Sequence, residues 1–255
     1  MNGRPGRHGG RLMWHYHKIA KSSAQPWLLR CFPVCSSTEM ILSHWLQGMS
    51  EPQQPCAIVA THQRWGVGQW GRNWSSPTGG VWISAALPWQ GKVLGGRVGL
   101  LGLAVAVALA ERLERHGLPV QIKWPNDILL HGRKLVGLLP SVIQRGSRVR
   151  IFRIGLGLNV RNSVPMKGIA LYQLDRQRAA DPAYWTAEVL LAFDRCYQSG
   201  GDGSWCLSAL QRRLWANKIY HPRDGRIWRI SGLAADGALQ LQHGNHTEQW
   251  HHLYS

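Results

Sequence analysis

Apolar positions along the chain recur in two rhythms. Compact apolar runs predict strands at Cys56–Gln63 ("CAIVATHQ"), Val81–Pro88 ("VWISAALP"), and shorter ones in "VQIKWP" and "DILL". Residues 96–116 instead place apolar side chains at helical spacing, with Gly117 as the stop. His131–Gly132 reads as a hairpin turn, and "KLVGLLPSVIQ" and "RVRIFRIGLGLNV" as paired long strands around a turn at 145–147. Two further helices are predicted at 182–197 and 204–215. The last stretch, "GRIWRISGLAADGALQLQHGNHTEQWHHL", switches to short alternating strands broken by "ADG" and "HGN", the pattern of a small β-barrel. The expectation is an α+β chain with one main domain and a small C-terminal barrel, joined near residue 207.

Composition narrows this little. The 255 residues suffice for one core plus an appendage, and 44% hydrophobic content is that of a globular chain. The longest apolar stretch, 98–110, is broken by glycines and too short to cross a bilayer, so no membrane partner is expected.

Charge is less ordinary: 30 Lys and Arg against 13 Asp and Glu give a formal +17. Such an excess suits phosphate partners, but it is spread along the chain without a basic stripe, and no specific nucleic acid is expected. Cys31, Cys35, Cys56, Cys196 and Cys206 show no paired metal spacing, which favours reduced thiols in the cytoplasm. His243, His246, His251 and His252 read as a solvated terminal strand. No acid precedes Glu39, and residues 1–30 read as a basic extension outside the fold. That extension is compatible with an organellar presequence, a disordered tail, or a true start at Met13.

Two segments carry candidate chemistry. In "GVGQWGRNW" (66–74) alternating glycines let the backbone approach a ligand, and Arg72 adds a charge-assisted donor; a plain structural loop is the competing reading. In "KWPNDILLHGRKLVGLLP" (123–140), Asn126 and Asp127 can offer oxygens to Mg²⁺. Lys123 and Lys134 can neutralise charge on a group in transfer. Read singly, each also fits an ordinary turn or a solvated lysine.

The order of the motifs decides between these readings. "SST" at 36–38, Gln63, "GxGQxGRxW" at 66–74, "KWPND" at 123–127, "KLVGLL" at 134–139 and "GLGLNV" at 155–160 together resemble the biotin–protein ligases over about residues 35–255. The resemblance implies a mixed-sheet domain like those of class II aminoacyl-tRNA synthetases and biotin ligases (31–206), followed by an SH3-like barrel (207–255). It implies biotin and ATP as substrates, Mg²⁺ as cofactor, biotinyl-5′-AMP as intermediate, and a biotin carboxyl carrier protein of acetyl-CoA carboxylase as partner. The enzyme would work as a monomer or homodimer, and the short N-terminal segment implies no DNA-binding domain.

Carried over by motif, Ser37, Thr38, Gln63, Gly66, Gly68, Gly155 and Gly157 would bind biotin. Lys134 would be the main electrostatic catalyst, with Asp127 and Lys123. Gln69, Arg72, Trp74, Asn126, Asp127 and Asn159 would bind ATP, and Asn126 and Asp127 the metal. Five positions depart from the family pattern. Val67 stands where an arginine is usual, Gln69 where some members have another arginine, and Glu39 where asparagine is frequent. Pro140–Ser141 replaces a pair that often ends in glutamate. Arg64 is a candidate to replace the charge missing at Val67. The lipoate or octanoate transferases are the nearest rival, but their "RRxxGGG" motif is absent. A non-catalytic basic binding module is the rival from another class.

Overall fold

The computed structural model describes residues 7–49, 52–89, 98–146, 148–175, 177, 181–200 and 204–251. Residues 1–6 of the N-terminal segment, 96 and 97 at the predicted helix start, Ser147 and His252 therefore lie outside the described residues. In chain order the elements are α1 (Arg7–Ala20), β1 (Leu28–Cys35), α2 (Thr38–Gln47), β2 (Cys56–Gln63), β3 (Val81–Pro88) and α3 (Val98–Arg115). There follow β4 (Val120–Lys123), β5 (Asp127–Leu130), β6 (Arg133–Arg145), β7 (Arg148–Leu158), α4 (Pro182–Gln198) and α5 (Ser204–Arg213). The chain ends with β8 (Lys218–Tyr220), β9 (Ile227–Leu233), β10 (Leu239–His243) and β11 (His246–Trp250).

The first seven strands form a mixed sheet in the order β1-β2-β3-β7-β6-β5-β4. Only the β1–β2 pair is parallel. Strand alternation then separates two faces. On one, Ala57, Val59, Ala85, Leu87, Ile154 and Leu156 enter the main core, where α3 packs on β4, β5 and β6, α4 on β3, and α5 on β4. On the other, Cys56, Ile58, Ala86 and Ile151 meet Leu42 and Trp45 of α2. The functional residues lie on this second, thinner face. Pro33 sits on the edge strand β1 and is skipped by the ladder, one of the settings in which a strand tolerates proline. The Pro140 ring seats where Gly102 of α3 has no side chain; a Cβ there would come within 2.7 Å of it.

The sequence patterns match the elements they were read for, with the turns at His131–Gly132 and Gly146 taken at positive φ. The C-terminal strands form the small second unit, a four-stranded antiparallel sheet in the order β11-β10-β9-β8. One boundary is corrected. The boundary near 207 would cut α5, whose Cys206, Ala209 and Leu210 are buried in the main core; the small sheet begins after it.

The larger correction concerns residues 1–30. From Arg7 the segment is not a loose tail. Leu12, Tyr16 and Ala20 recur one helical turn apart and are buried, with Met13 and Ile19 beside them. α1 lies on α4 and is tied to it by charge: Arg11 Nε and His15 Nε2 reach Asp181 Oδ2 at 3.0 and 2.6 Å. Asp181 is itself the N-cap of α4, accepting from Ala183 N at 3.0 Å. Deeper in, Tyr16 Oη donates to Asp194 Oδ2 at 2.6 Å and Trp27 Nε1 to Asp194 Oδ1 at 2.8 Å. The basic composition hid this helix, because few apolar residues suffice when one face alone is covered.

Burial pushes the Asp194 carboxyl up to about 6, against the pull of its two donors. A carboxyl raised above its unfolded value favours the fold fully below the ordinary pKa, and that contribution is lost as pH rises through about 6. Above that pH the ionised group depends on Tyr16. Tyr16→Phe should cost about 1.5–3 kcal/mol in urea unfolding at pH 7.5 and clearly less at pH 5. Truncation after residue 27 should lower the melting temperature; an unchanged melt would show that α1 is not part of the fold.

Candidate active site

Sheet pairing builds the site as a row across five strands. Lys123 of β4 pairs with Asp127 of β5, Asp127 with Gly137 of β6, Gly137 with Gly157 of β7, and Gly157 with Trp82 of β3. The next row runs from Leu139 through Gly155 to Ser84. Glycine at 137, 155 and 157 leaves this strip of sheet bare. Lys134 should by alternation face away from Gly137. Between Ile128 and Leu129 the register slips: Ile128 pairs with Val136 but Leu129 with Lys134, so Leu135 is extra. That bulge buries Leu135 in the core and turns Lys134 to the same face as Gly137 and Asp127.

The bare strip is roofed by the loop after β2. Gly68 N donates to Arg72 O at 2.7 Å and Trp74 N to Gly66 O at 2.8 Å, folding 66–74 back on itself. Trp70 at its tip holds φ +59, a strained setting for a residue with a side chain. The Trp74 indole lies on the glycines: a Cβ on Gly157 would meet its Nε1 at 2.4 Å, and one on Gly137 its ring at 2.6 Å. Its Nε1 is buried without a partner.

Two cavities flank the indole. The smaller, about 50 Å³, is lined by Ser37, Thr38, Glu39, Gln63, Gly68, Gln69, Trp74, Ser84, Asn126, Lys134, Gly155 and Gly157 among others. It has room for a few waters and no more. Its polar floor is organised: Gln63 Oε1 accepts from Thr38 N at 2.7 Å and from Thr38 Oγ1 at 3.0 Å, while Gln63 Nε2 donates to Ser76 Oγ at 2.8 Å. Thr38 Oγ1 and Ser84 Oγ lie 2.8 Å apart. Ser37 stands at the N-cap of α2 yet caps nothing; its Oγ is buried and unpartnered.

The larger cavity, about 500 Å³, is lined by Gln69, Arg72, Trp74, Lys123, Asn126, Asp127, Lys134, Asn159 and Lys167 among others. Four cations and one acid line it, so its field favours a polyanion. The Lys134 ammonium lies 2.7 Å from Asp127 Oδ1, an ion pair by distance whose angle leaves that buried oxygen without an aligned hydrogen bond. The same ammonium sits 4.8 Å from the centre of the Trp74 ring, and Lys123 lies 5.5 Å from that of Trp215. Asn159 Nδ2 donates to Lys134 O at 3.3 Å and its Oδ1 accepts from Asn162 at 3.0 Å, so it holds the strand carrying Lys134. Asn126 Nδ2 donates to Leu138 O at 2.9 Å.

Of the residues expected from sequence, all but Gly66 line one cavity or the other. Gly66 shapes the loop instead: a Cβ would stand 2.3 Å from Trp74 O. Arg64 is exposed and lines neither cavity, which fits a solvated arginine and gives no support to its replacing the charge missing at Val67. Sequence reasoning missed Ser76, Ser84, Gly137 and Lys167. Gly137 was legible inside "KLVGLL"; Ser84 lies on a predicted strand with nothing to mark it as polar lining, and Ser76 and Lys167 lie on segments with no pattern of their own.

The profile of the biotin/lipoate A/B protein ligase family matches residues 31–159, half of the chain, and the chain belongs to this family. It is 36% identical over 178 residues to the bifunctional ligase/repressor BirA of Bacillus subtilis, covering 65% of this chain and 52% of that protein. It is 34% identical over 106 residues to the biotin–[acetyl-CoA-carboxylase] ligase of Paracoccus denitrificans, covering 40% of this chain and 43% of that one. The chain thus spans about half the length of the relatives it matches. Its fold is that of the biotin protein ligase from Aquifex aeolicus in complex with biotin and ATP, with TM-score 0.66 at 19% identity over 87% of this chain and 94% of that one.

Gly66→Ala should force the loop open, since its methyl would meet backbone at 2.3 Å and Ser76 Oγ at 2.5 Å. Limited trypsin digestion should cut after Arg72 about tenfold faster, with the melt of the core little changed. Equal cleavage rates would show that the loop is not held by this contact.

Proposed function

We propose that the chain is an ATP-dependent biotin–protein ligase that acts on a lysine of a biotin carboxyl carrier protein of acetyl-CoA carboxylase. The observation that carries this reading is the position of Lys134 in the wall shared by the two cavities. A small pocket with a polar floor adjoins a large cationic one, and a fixed cation stands at their seam. That seam is where an organic carboxylate and the α-phosphorus of a nucleotide would meet.

In the first step a carboxylate oxygen of biotin attacks the α-phosphorus of ATP. The bond to the bridging oxygen breaks, pyrophosphate leaves, and biotinyl-5′-AMP remains. In the second, the carrier's neutral lysine amine attacks the acyl carbon. The acyl–oxygen bond breaks, AMP leaves, and one amine proton is lost as the amide forms. No side chain here needs to become a nucleophile. Lys134 holds the carboxylate and then the acyl-phosphate oxygen, while Arg72, Lys123 and Lys167 draw the polyphosphate into line.

Asp127 and the Asn126 side-chain oxygen are the donors that would hold Mg²⁺, an ion that commonly takes one or two protein oxygens and completes its shell with water and phosphate. Asp127 Oδ1 already faces a cation, the Lys134 ammonium at 2.7 Å, a setting that suits a metal ligand once Lys134 turns to the substrate. The ion would supply charge neutralisation at the phosphates. Biotin is too large for a 50 Å³ cavity, so entry requires Trp74 to swing off Gly137 and Gly157 and later close over the adenylate, keeping water away. All five cysteines stand free, and among the described residues no helix is long and apolar enough to cross a membrane. The free thiols support a cytoplasmic reading.

The test is incubation of the whole chain with ATP, Mg²⁺, biotin and a carrier domain, read by streptavidin blot and pyrophosphate release. Lys134→Ala should slow pyrophosphate release about 10²–10³-fold without unfolding the protein. Near-normal release by that variant would sink the assignment. Labelling of the carrier by lipoate in place of biotin would move the chain to the other branch of its family.

A further inference from the structure

We infer that Glu39 selects the ring of the acid substrate: its Oε2 accepts a ring N–H of a cyclic urea bound in the smaller cavity. This rests on the biotin reading above and adds a residue to it.

Glu39 opens the first turn of α2, and its two carboxylate oxygens differ in circumstance. Oε1 accepts from Arg153 Nη2 on β7, and the same nitrogen donates to Ser43 Oγ at 2.7 Å. Oε2 is buried without a partner, in the cavity wall beside the bare backbone of Gly155, where a Cβ would lie 3.4 Å from it. Arg153 therefore fixes the carboxylate and compensates its charge while Oε2 stays unpaired beside Gly155 in the cavity wall. A buried acceptor left empty is costly, and a ligand that supplies an N–H removes that cost.

The neighbouring polar groups are already engaged. Gln63 spends its oxygen on Thr38 and its amide on Ser76, and Thr38 and Ser84 share a hydroxyl–hydroxyl bond. What remains around this cavity is Glu39 Oε2, the one unpartnered group that can only accept, with the Ser37 hydroxyl and the Trp74 Nε1 donor. A cyclic urea presents the complement, N–H beside C=O. A dithiolane ring presents neither, and would leave Oε2 buried against sulfur. Within a family that spans biotin and lipoate chemistry, this is the discrimination a pocket makes most strongly, because the wrong ligand strands a buried polar group.

The competing account gives Glu39 a structural task only, anchoring Arg153 so that α2 stays on the sheet. Biotin and 2-iminobiotin separate the two. The analogue carries a cyclic guanidinium in place of the urea, so a facing carboxylate should favour it and a facing amide should not. Both dissociation constants are measured by calorimetry on the full chain, for wild type and Glu39→Gln. The ratio of iminobiotin to biotin dissociation constants should rise roughly ten- to a hundredfold in the variant. A purely structural residue would weaken both ligands together, and an unchanged ratio overturns the inference while leaving the ligase reading intact.

Should Glu39→Gln lose its fold by circular dichroism, Glu39→Gln with Arg153→Leu removes both members of the ion pair and carries the same comparison. If neither variant folds, Glu39 is a structural residue and the inference is withdrawn. If the wild type binds neither ligand, the ligase reading itself fails, and this inference with it.

Discussion

A β-sheet offers each face only every second side chain, and the site of this protein depends on one break in that rule. The bulge between β5 and β6 lets Lys134 and Asp127 share a face with Gly137 and Gly157, while Leu135 goes to the core. Without the slip Lys134 would point into the core beneath α3, where an unpaired ammonium is intolerable. The bulge thus joins the packing of the sheet to the position of its central cation. Asn159 and Lys167 reinforce it through the backbone, the first by donating to Lys134 O and the second by accepting from Lys134 N at 3.0 Å.

The glycines of the strip have a related purpose. Gly137, Gly155 and Gly157 lie side by side on adjacent strands, a weak choice for a strand on propensity alone. They leave a flat backbone floor on which Trp74 rests when nothing else does. The loop carrying Trp74 is held by few bonds and has a strained residue at its tip, which suits a cover that must move. The opposite face of the same sheet is packed with Leu, Val and Ala against α3 and α4 and has no such freedom. Rigidity on one side of the sheet and adaptability on the other come from the same strands.

Charge follows this division as well. The overall excess of cations has no stripe, yet four of them converge on one cavity with a single acid among them. Elsewhere acids are used singly to fasten elements together: Asp181 and Asp194 hold α1 to α4, Glu39 holds β7 to α2, and Glu114 accepts Arg213 of α5 at 2.6 Å. With only 13 acids in the chain, each one placed between elements carries structural weight.

The sequence by itself determined most of the strands and the order of the motifs, because periodicity and turn residues are local properties of the chain. It also named many of the residues that line the cavities, since a motif carries its residue types whatever surrounds them, but not Ser84 or Lys167. The tertiary structure decided the rest. α1 escaped notice because its apolar stripe is narrow and meaningful only once α4 is there to cover it. The bulge at Leu135 is a property of pairing between two strands and is written in neither alone. The gap between Glu39 Oε1 and Oε2, one oxygen tied and one left free, exists only because Arg153, more than a hundred residues on, arrives from one side and leaves the cavity open on the other.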